Sequence, residues 1–255
     1  MRPPRPDPYR DPVLYDLEYH DYVDDIDWYT ALGQRARAPV LELACGNGRL
    51  TLPLARGGVE VVGVDLSAPM LASLRSKLLD ERPEVQARVQ LHYGSFLAIP
   101  LEQRFSTVIL PFNALHHCED HRAVLTLLDE VRRVLSPGGI FALDCYLPDP
   151  TLYQRDFDEV YGERVFVDPR DGSLLQSWEQ SWYDPIAQVH HVTYAYQRPD
   201  GRVDRADMHL RMYYPAELRG LFDLAGWRIQ QAAKDFEGGE VDVNADRYVL
   251  LLTPA

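Results

Sequence analysis

Val40-Leu-Glu-Leu-Ala-Cys-Gly-Asn-Gly-Arg49, followed by Val61-Val-Gly-Val-Asp65, decides the fold. An apolar run stops at a glycine pair, a helix-like segment follows, and a second apolar run ends on an acid. This is a strand, a tight turn and a helix, then a strand with a carboxylate at its tip. Glycine at the turn lets a ligand lie against backbone, because a Cβ there would block close approach. The acid suits a ribose, whose two hydroxyls are paired donors for one carboxylate. The pair of motifs therefore points to a cofactor that contains a nucleoside.

The details separate two cofactor classes. A dinucleotide site uses G-x-G-x-x-G, so that a pyrophosphate lies on a helix N-terminus. Here the third position of that pattern is Thr51. A carboxylate, Glu42, also stands inside the first strand. An anion beside a pyrophosphate is unfavourable, whereas one near a cationic ligand is favourable. The stretch E-L-A-C-G-N-G-R, with V-V-G-V-D downstream, resembles the first two motifs of class I S-adenosylmethionine-dependent methyltransferases. That ligand carries a sulfonium and an ammonium and no phosphate.

Working outward, the chain has 255 residues, enough for one large domain or one domain with a sizeable insertion. Its 46% hydrophobic content supports a real core. No apolar run reaches the length of a membrane span, and the start of the chain has no apolar signal region. Three dispersed cysteines argue against a disulfide framework and for the cytoplasm. The net charge of −13 and the lack of clustered Lys and Arg argue against a nucleic-acid substrate. No membrane partner is expected, and the assembly is expected to be a monomer or homodimer.

Residues 1–12 hold five prolines and read as an extended arm. Apolar positions from Val13 to about Gly33 suggest one or two amphipathic helices. Strands are expected at Val40–Leu43, Val59–Val64, Val89–Tyr93, Thr107–Leu110 and Ile140–Cys145. Helices are expected near Gly48, after Ser67 and after Asp120, the last ended by Ser136-Pro-Gly-Gly139. Alternating strands and helices imply an α/β fold with a doubly wound, mostly parallel, Rossmann-like sheet. Three turn signals, at 168–172, 184–185 and 199–201, then separate four segments rich in Val, Tyr, Trp and Thr. Those segments, at about 160–167, 173–183, 189–197 and 202–213, read as an inserted small antiparallel sheet. A helix from Pro215 to Gly226 and strands Trp227–Gln231 and Arg247–Thr253 bring the main sheet to seven strands. The expected organisation is an N-terminal arm and helical lid over 1–36, a cofactor-binding core over 37–150 and 214–255, and an inserted β lid over 151–213.

The arrangement is similar to small-molecule methyltransferases of the broad methyltransferase-domain superfamily. The likeness extends to D-P-V-L-Y-D-L-E-Y, G-V-D-L-S, P-F-N-A-L-H-H, L-S-P-G-G and Y-Y-P-x-E-L-x-x-L-F-x-x-A-G-W. It implies S-adenosyl-L-methionine as cofactor and S-adenosyl-L-homocysteine as product. Backbone near Ala44, Gly46 and Gly48 is expected to hold the amino-acid end of the cofactor, and Asp65 both ribose hydroxyls. Glu42, Leu66, Met70, Pro111 and Phe96 are expected around it, with Phe96 beside the adenine. Ser95 stands where the family often has an acid. Arg49 pairs either with the ligand carboxylate or with Glu42, and Tyr15 is a candidate for closure over the cofactor.

Phe112-Asn-Ala-Leu-His-His117 follows strand four, at the sheet edge where open α/β sheets bind ligands. Asn113 and His116 are the catalytic candidates, since neutral imidazole is a suitable base near pH 7. Phe112, His117, Tyr146, His209 and Arg211 are candidate acceptor contacts. His116, His117, Cys118 and His121 have no second ligand cluster at metal-binding spacing, so no metal is assigned. The expected function is methyl transfer to N or O of a small-molecule acceptor. A non-catalytic binding or scaffold protein, a nicotinamide-dependent oxidoreductase and a macromolecule-modifying methyltransferase are the alternatives.

Overall fold

The computed structural model of the chain describes residues 7–36 and 38–255, with 152 and 153 described by backbone alone. The first six positions of the expected arm lie outside the described residues. From Asp7 onward the chain is not extended. The Asp7 carboxylate accepts the Tyr9 N–H and opens a short 3-10 turn, and Asp11 accepts the N–H groups of Val13 and Leu14. Pro12 takes the first helical position, where its missing N–H costs nothing.

The elements run α1 (Pro12–Tyr19), α2 (Ile26–Ala36), β1 (Val40–Leu43), α3 (Thr51–Arg56), β2 (Val61–Asp65), α4 (Ala68–Leu79) and α5 (Pro83–Gln86). β3 (Val89–Tyr93), β4 (Phe105–Leu110), α6 (His121–Val134) and β5 (Leu135–Tyr146) follow. Then come β6 (Tyr161–Val167), β7 (Leu174–Asp184), β8 (Val189–Gln197), β9 (Val203–Arg211), α7 (Pro215–Leu224), β10 (Trp227–Ala233) and β11 (Arg247–Pro254). The chain divides into two compact units, one of residues up to Asp21 with Pro148–Met212, the other of Tyr22–Leu147 with Tyr213–Ala255.

The larger unit holds a seven-stranded sheet in the order β10-β11-β5-β4-β1-β2-β3. β1 to β5 pair in parallel, and β11 enters antiparallel between β10 and β5. All four residues of β1 are buried, as the central strand of a sheet covered on both faces requires. The helices cover it for legible reasons. Ser67 caps α4, which buries Met70, Leu71 and Leu74. Asp120 caps α6, whose buried Val124, Leu127, Leu128, Val131 and Val134 form one helical stripe. Two expectations shift: α3 begins at Thr51 rather than at Gly48, because Gly46 and Gly48 adopt left-handed backbone and belong to the turn. β5 begins at Leu135, because Leu135 pairs with Phe105 and the register break after Phe105 absorbs the Pro-Gly-Gly segment into the strand.

The smaller unit is an antiparallel sheet in the order β6-β7-β8-β9. Leu14 of α1 packs with Leu175 and Tyr196 on one face, and the Tyr19 and Tyr194 hydroxyls lie 2.8 Å apart. Buried Asp168 closes the β6–β7 turn by holding Arg170 and Arg198, which keeps its carboxyl well below the usual range. Among the described residues no helix is long and apolar enough to cross a membrane.

Candidate active site

β1 pairs on one side with β2 and on the other with β4, so the order of the sheet reverses between β1 and β4. In open α/β sheets ligands bind beyond the strand C-termini at such a reversal. Three tips meet this description: Ala44 after β1, Asp65 at the end of β2, and Pro111 to Asn113 after β4.

The backbone is strained at two of them. Ala44, Phe112 and Asn113 hold positive φ angles of 56°, 56° and 63° without being glycine. Each such residue costs about 1–3 kcal/mol and persists only where its surroundings over-determine it, as functional sites do. Gly46 and Gly48 continue the left-handed backbone after β1, at φ 55° and 91°. A Cβ on Gly48 would stand 2.3 Å from Leu74 Cδ1, and one on Gly46 would stand 3.4 Å from Met70 Cε. The turn is thus a bare stretch of backbone resting on α4. Met70 is buried beneath it, while Leu66 is 61% exposed.

Asp65 is held from both sides. One carboxylate oxygen accepts the Gly46 N–H at 2.7 Å, the other the Ser67 N–H at 2.7 Å. Burial raises its pKa against these two donors. Each oxygen keeps lone-pair capacity for a further donor. Glu42 lies wholly inside the sheet and accepts the Thr51 hydroxyl at 2.7 Å. Burial pushes its carboxyl up to about 8, with the Thr51 bond and the Arg49 charge acting the other way. Thr51, at the position where a dinucleotide motif has its third glycine, is therefore fully buried and fixed to the strand.

The ion pair of Arg49 is with Asp25, a residue the sequence reading did not single out. The guanidinium meets the buried Asp25 carboxylate with two bonds, of 2.8 and 2.5 Å. It also donates to the Tyr22 carbonyl and lies 4.3 Å over the Phe112 ring, which in turn packs on Tyr22 at 4.9 Å. Arg49 so gathers the glycine turn, the start of α2 and the β4 tip.

Asp144, also missed, braces the β4 tip from β5. It is fully buried and accepts the Phe112 N–H and the Tyr29 hydroxyl, each at 2.8 Å, while Arg247 reaches its second oxygen at 2.5 Å. Its backbone carbonyl accepts the Asn113 N–H. Asn113 Oδ1 accepts the Tyr146 N–H at 2.7 Å and an Arg247 N–H at 3.3 Å. His116 is fully buried, with its Nε2–H donated to the Tyr146 carbonyl at 3.1 Å and its ring 4.5 Å from the Tyr146 ring. Asn113, His116 and Tyr146 are thus brought together, and their polar groups hold the tips of β4 and β5 to one another. His117 follows in a 3-10 turn.

Ser95 Oγ accepts the Leu97 N–H, and Phe96 packs against the main core. Tyr15, His209 and Arg211 belong to the smaller unit, where the Tyr15 ring packs at a tilt on Tyr19 at 4.8 Å and Arg211 is buried beside Gln188. Burial lifts the Cys118 and Cys145 thiols to about 12, which keeps them protonated and unreactive. Among the described residues no group of three or more His, Cys, Asp or Glu side chains is placed to hold a metal.

Comparison with known proteins follows this geometry. The family model described as "Methyltransferase domain" matches residues 40–139. The solved CcbJ methyltransferase of Streptomyces caelestis is 30% identical over 91% of this chain and 94% of that one, with a TM-score of 0.75. The cypemycin N-terminal methyltransferase of a Streptomyces species is 31% identical over 57% of this chain, which spans 60% of that enzyme. CalS10, an amino pentose methyltransferase of Micromonospora echinaspora solved with S-adenosylmethionine bound, shares the fold at a TM-score of 0.67 and 20% identity, over 95% of this chain and 97% of that one.

Proposed function

The chain belongs to the class I S-adenosylmethionine-dependent methyltransferases, and from that membership we propose that it methylates a nitrogen of a small-molecule acceptor. The carrying observation is the cradle at the end of β1 and β2. The backbone at Gly46 and Gly48 is left-handed and bare, with no room for a Cβ at Gly48, and the Asp65 carboxylate is fixed beside it with acceptor capacity to spare. In this reading Asp65 holds the ribose hydroxyls and the backbone of Ala44 to Gly48 takes the amino-acid end. Leu66, Ser95 and Phe96 flank the adenine, and buried Glu42, bonded to Thr51, fixes the start of the helix that follows the turn. Fixed Thr51 leaves no bare approach for a pyrophosphate, which supports this cofactor over a dinucleotide.

The cofactor would supply an electrophilic methyl group on a sulfonium, taken in line by the acceptor with the thioether S-adenosylhomocysteine as leaving group. The chain's residues position the partners and exclude water. The choice of nitrogen rests on Asn113 and His116. Asn113 uses its side-chain oxygen to join the β4 and β5 tips, and His116 is wholly buried with its Nε2–H held by the Tyr146 carbonyl, which supports a reaction that needs no base from either. A neutral amine needs no base before displacement, since its proton leaves afterwards to solvent. The relatives named as an N-terminal methyltransferase and an amino pentose methyltransferase support the same choice.

Calorimetric titration tests the cofactor. S-adenosylmethionine and S-adenosylhomocysteine are expected to bind, NADH not to, and Asp65→Ala to weaken the first two at least tenfold while the protein stays folded. Absence of binding to a folded protein overturns the reading. Incubation with paired amine and alcohol acceptors, read by mass spectrometry, tests the acceptor atom, and transfer to alcohols alone refutes nitrogen.

A further inference from the structure

The antiparallel sheet of the smaller unit carries a row of three rings, of which His209 alone is a candidate acceptor contact in the sequence and none has a part in the proposed function. Trp182 on β7, His191 on β8 and His209 on β9 are direct cross-strand neighbours. Directly opposed residues point to the same face of a sheet. The Trp182 and His191 rings are stacked, 4.2 Å apart and 8° from parallel. The His191 and His209 rings meet edge to face, with their Nδ1 atoms 2.9 Å apart. His209 is exposed and His191 half-buried.

We propose that His191 and His209 form a cross-strand chelate for a divalent transition metal that prefers square-planar or octahedral coordination, Cu2+ or Ni2+. The separation selects the geometry. Imidazole–metal bonds of about 2.0–2.1 Å place two nitrogens roughly 2.8–3.0 Å apart at a 90° angle, and roughly 3.3–3.4 Å apart at the tetrahedral angle. The observed 2.9 Å, now a hydrogen bond with the two Nδ1 atoms aimed at each other, equals the first separation, so the rings need only turn to converge on one ion and the strand spacing is unchanged. Tetragonal nitrogen sites suit Cu2+ and Ni2+, and Cu2+ heads the affinity order of the first-row divalent ions.

Two neutral imidazoles suffice. In the hydrogen-bonded pair one Nδ1 carries hydrogen and the other a lone pair. On metal binding both Nδ1 atoms donate lone pairs, and the displaced proton moves to the Nε2 of its own ring. Trp182 fixes the plane of His191, so less rotamer freedom is lost on binding. On the same face the neighbouring Asp207 is bonded to Thr193 at 2.8 Å. Water completes the coordination sphere.

The test is titration of the full-length chain with CuCl2 and NiCl2, by calorimetry and, for Cu2+, by electron paramagnetic resonance. Saturable binding of one Cu2+ with nitrogen hyperfine structure is expected, tighter than Ni2+ and Zn2+. His191→Gln and His209→Gln are each expected to weaken it at least tenfold, while His20→Gln, at another exposed histidine, leaves it unchanged. Circular dichroism confirms that the variants fold. Occupancy should also raise Tm in the parent and not in the two variants, because a ligand of the native state alone stabilises it. Absence of saturable binding, or binding that survives both substitutions, overturns the proposal. Neither result depends on S-adenosylmethionine, so the site stands or falls apart from the proposed activity.

Discussion

Glu42 shows how one buried residue sets a pH dependence. Among the described residues the Thr51 hydroxyl is the one hydrogen-bond partner of its buried carboxyl, so burial favours the neutral form and raises its pKa to about 8. Unfolded, the group ionises near its ordinary value of 4.5. Between these values the folded chain binds one more proton than the unfolded chain. Stability therefore falls as pH rises from about 4.5 to about 8, and levels off above. Glu42→Gln keeps the shape and removes the titration. The difference in Tm between pH 5 and pH 8.5 is expected to shrink in the variant, and Tm at pH 8.5 to rise above the parent. An unchanged pH profile by differential scanning fluorimetry refutes this account. The sequence displayed the residue plainly, as an acid inside an apolar strand, but not its partner. Arg49 is similar: its place after the glycines was legible, whereas Asp25 lies 24 positions away and only the fold joins them.

At the scale of elements, the strained tip of β4 depends on β5 and β11. Asp144 accepts from Phe112 and Tyr29, and Arg247 closes the pair from β11. Removing one partner of a buried ion pair leaves a charge uncompensated, at a cost of about 3–5 kcal/mol. Asp144→Ala is expected to destabilise by that order, and Arg247→Ala similarly. The double variant should cost less than the two together, because the second substitution removes the charge stranded by the first. Urea denaturation of the four proteins measures the coupling, and strict additivity contradicts the brace. Most elements were legible, because helix caps such as Ser67 and Asp120 and turns such as 168–172 act within a few residues. The left-handed backbone at Ala44 and Phe112 was not. Neither residue type marks such a conformation, and at Phe112 a bond to Asp144, 32 positions away, holds it. The start of β5 at Leu135 was also hidden, since Pro-Gly-Gly ordinarily signals a turn and only pairing with Phe105 draws it into a strand.

At the scale of the whole molecule, the larger unit is continuous in space although the chain leaves it after Leu147 and returns at Tyr213. Exit and return are close. Tyr146 and Tyr213 both pack on His116, with ring centroids 4.5 and 6.4 Å from it, and the Tyr213 hydroxyl is bonded to the Cys118 carbonyl at 2.7 Å. A linker of about four to six residues, at roughly 3.3–3.6 Å each, spans such a gap with slack. Every residue proposed for the ribose and the amino-acid end also lies in this unit, and so does the brace of the β4 tip. A chain of residues 22–147 joined by a short Gly/Ser linker to 213–255 is therefore expected to fold and to bind S-adenosylhomocysteine within about tenfold of the parent, for loop length itself enters closure entropy only slowly. Circular dichroism and calorimetry on the excised protein decide the matter. A folded product that binds no S-adenosylhomocysteine refutes a cofactor site confined to this unit.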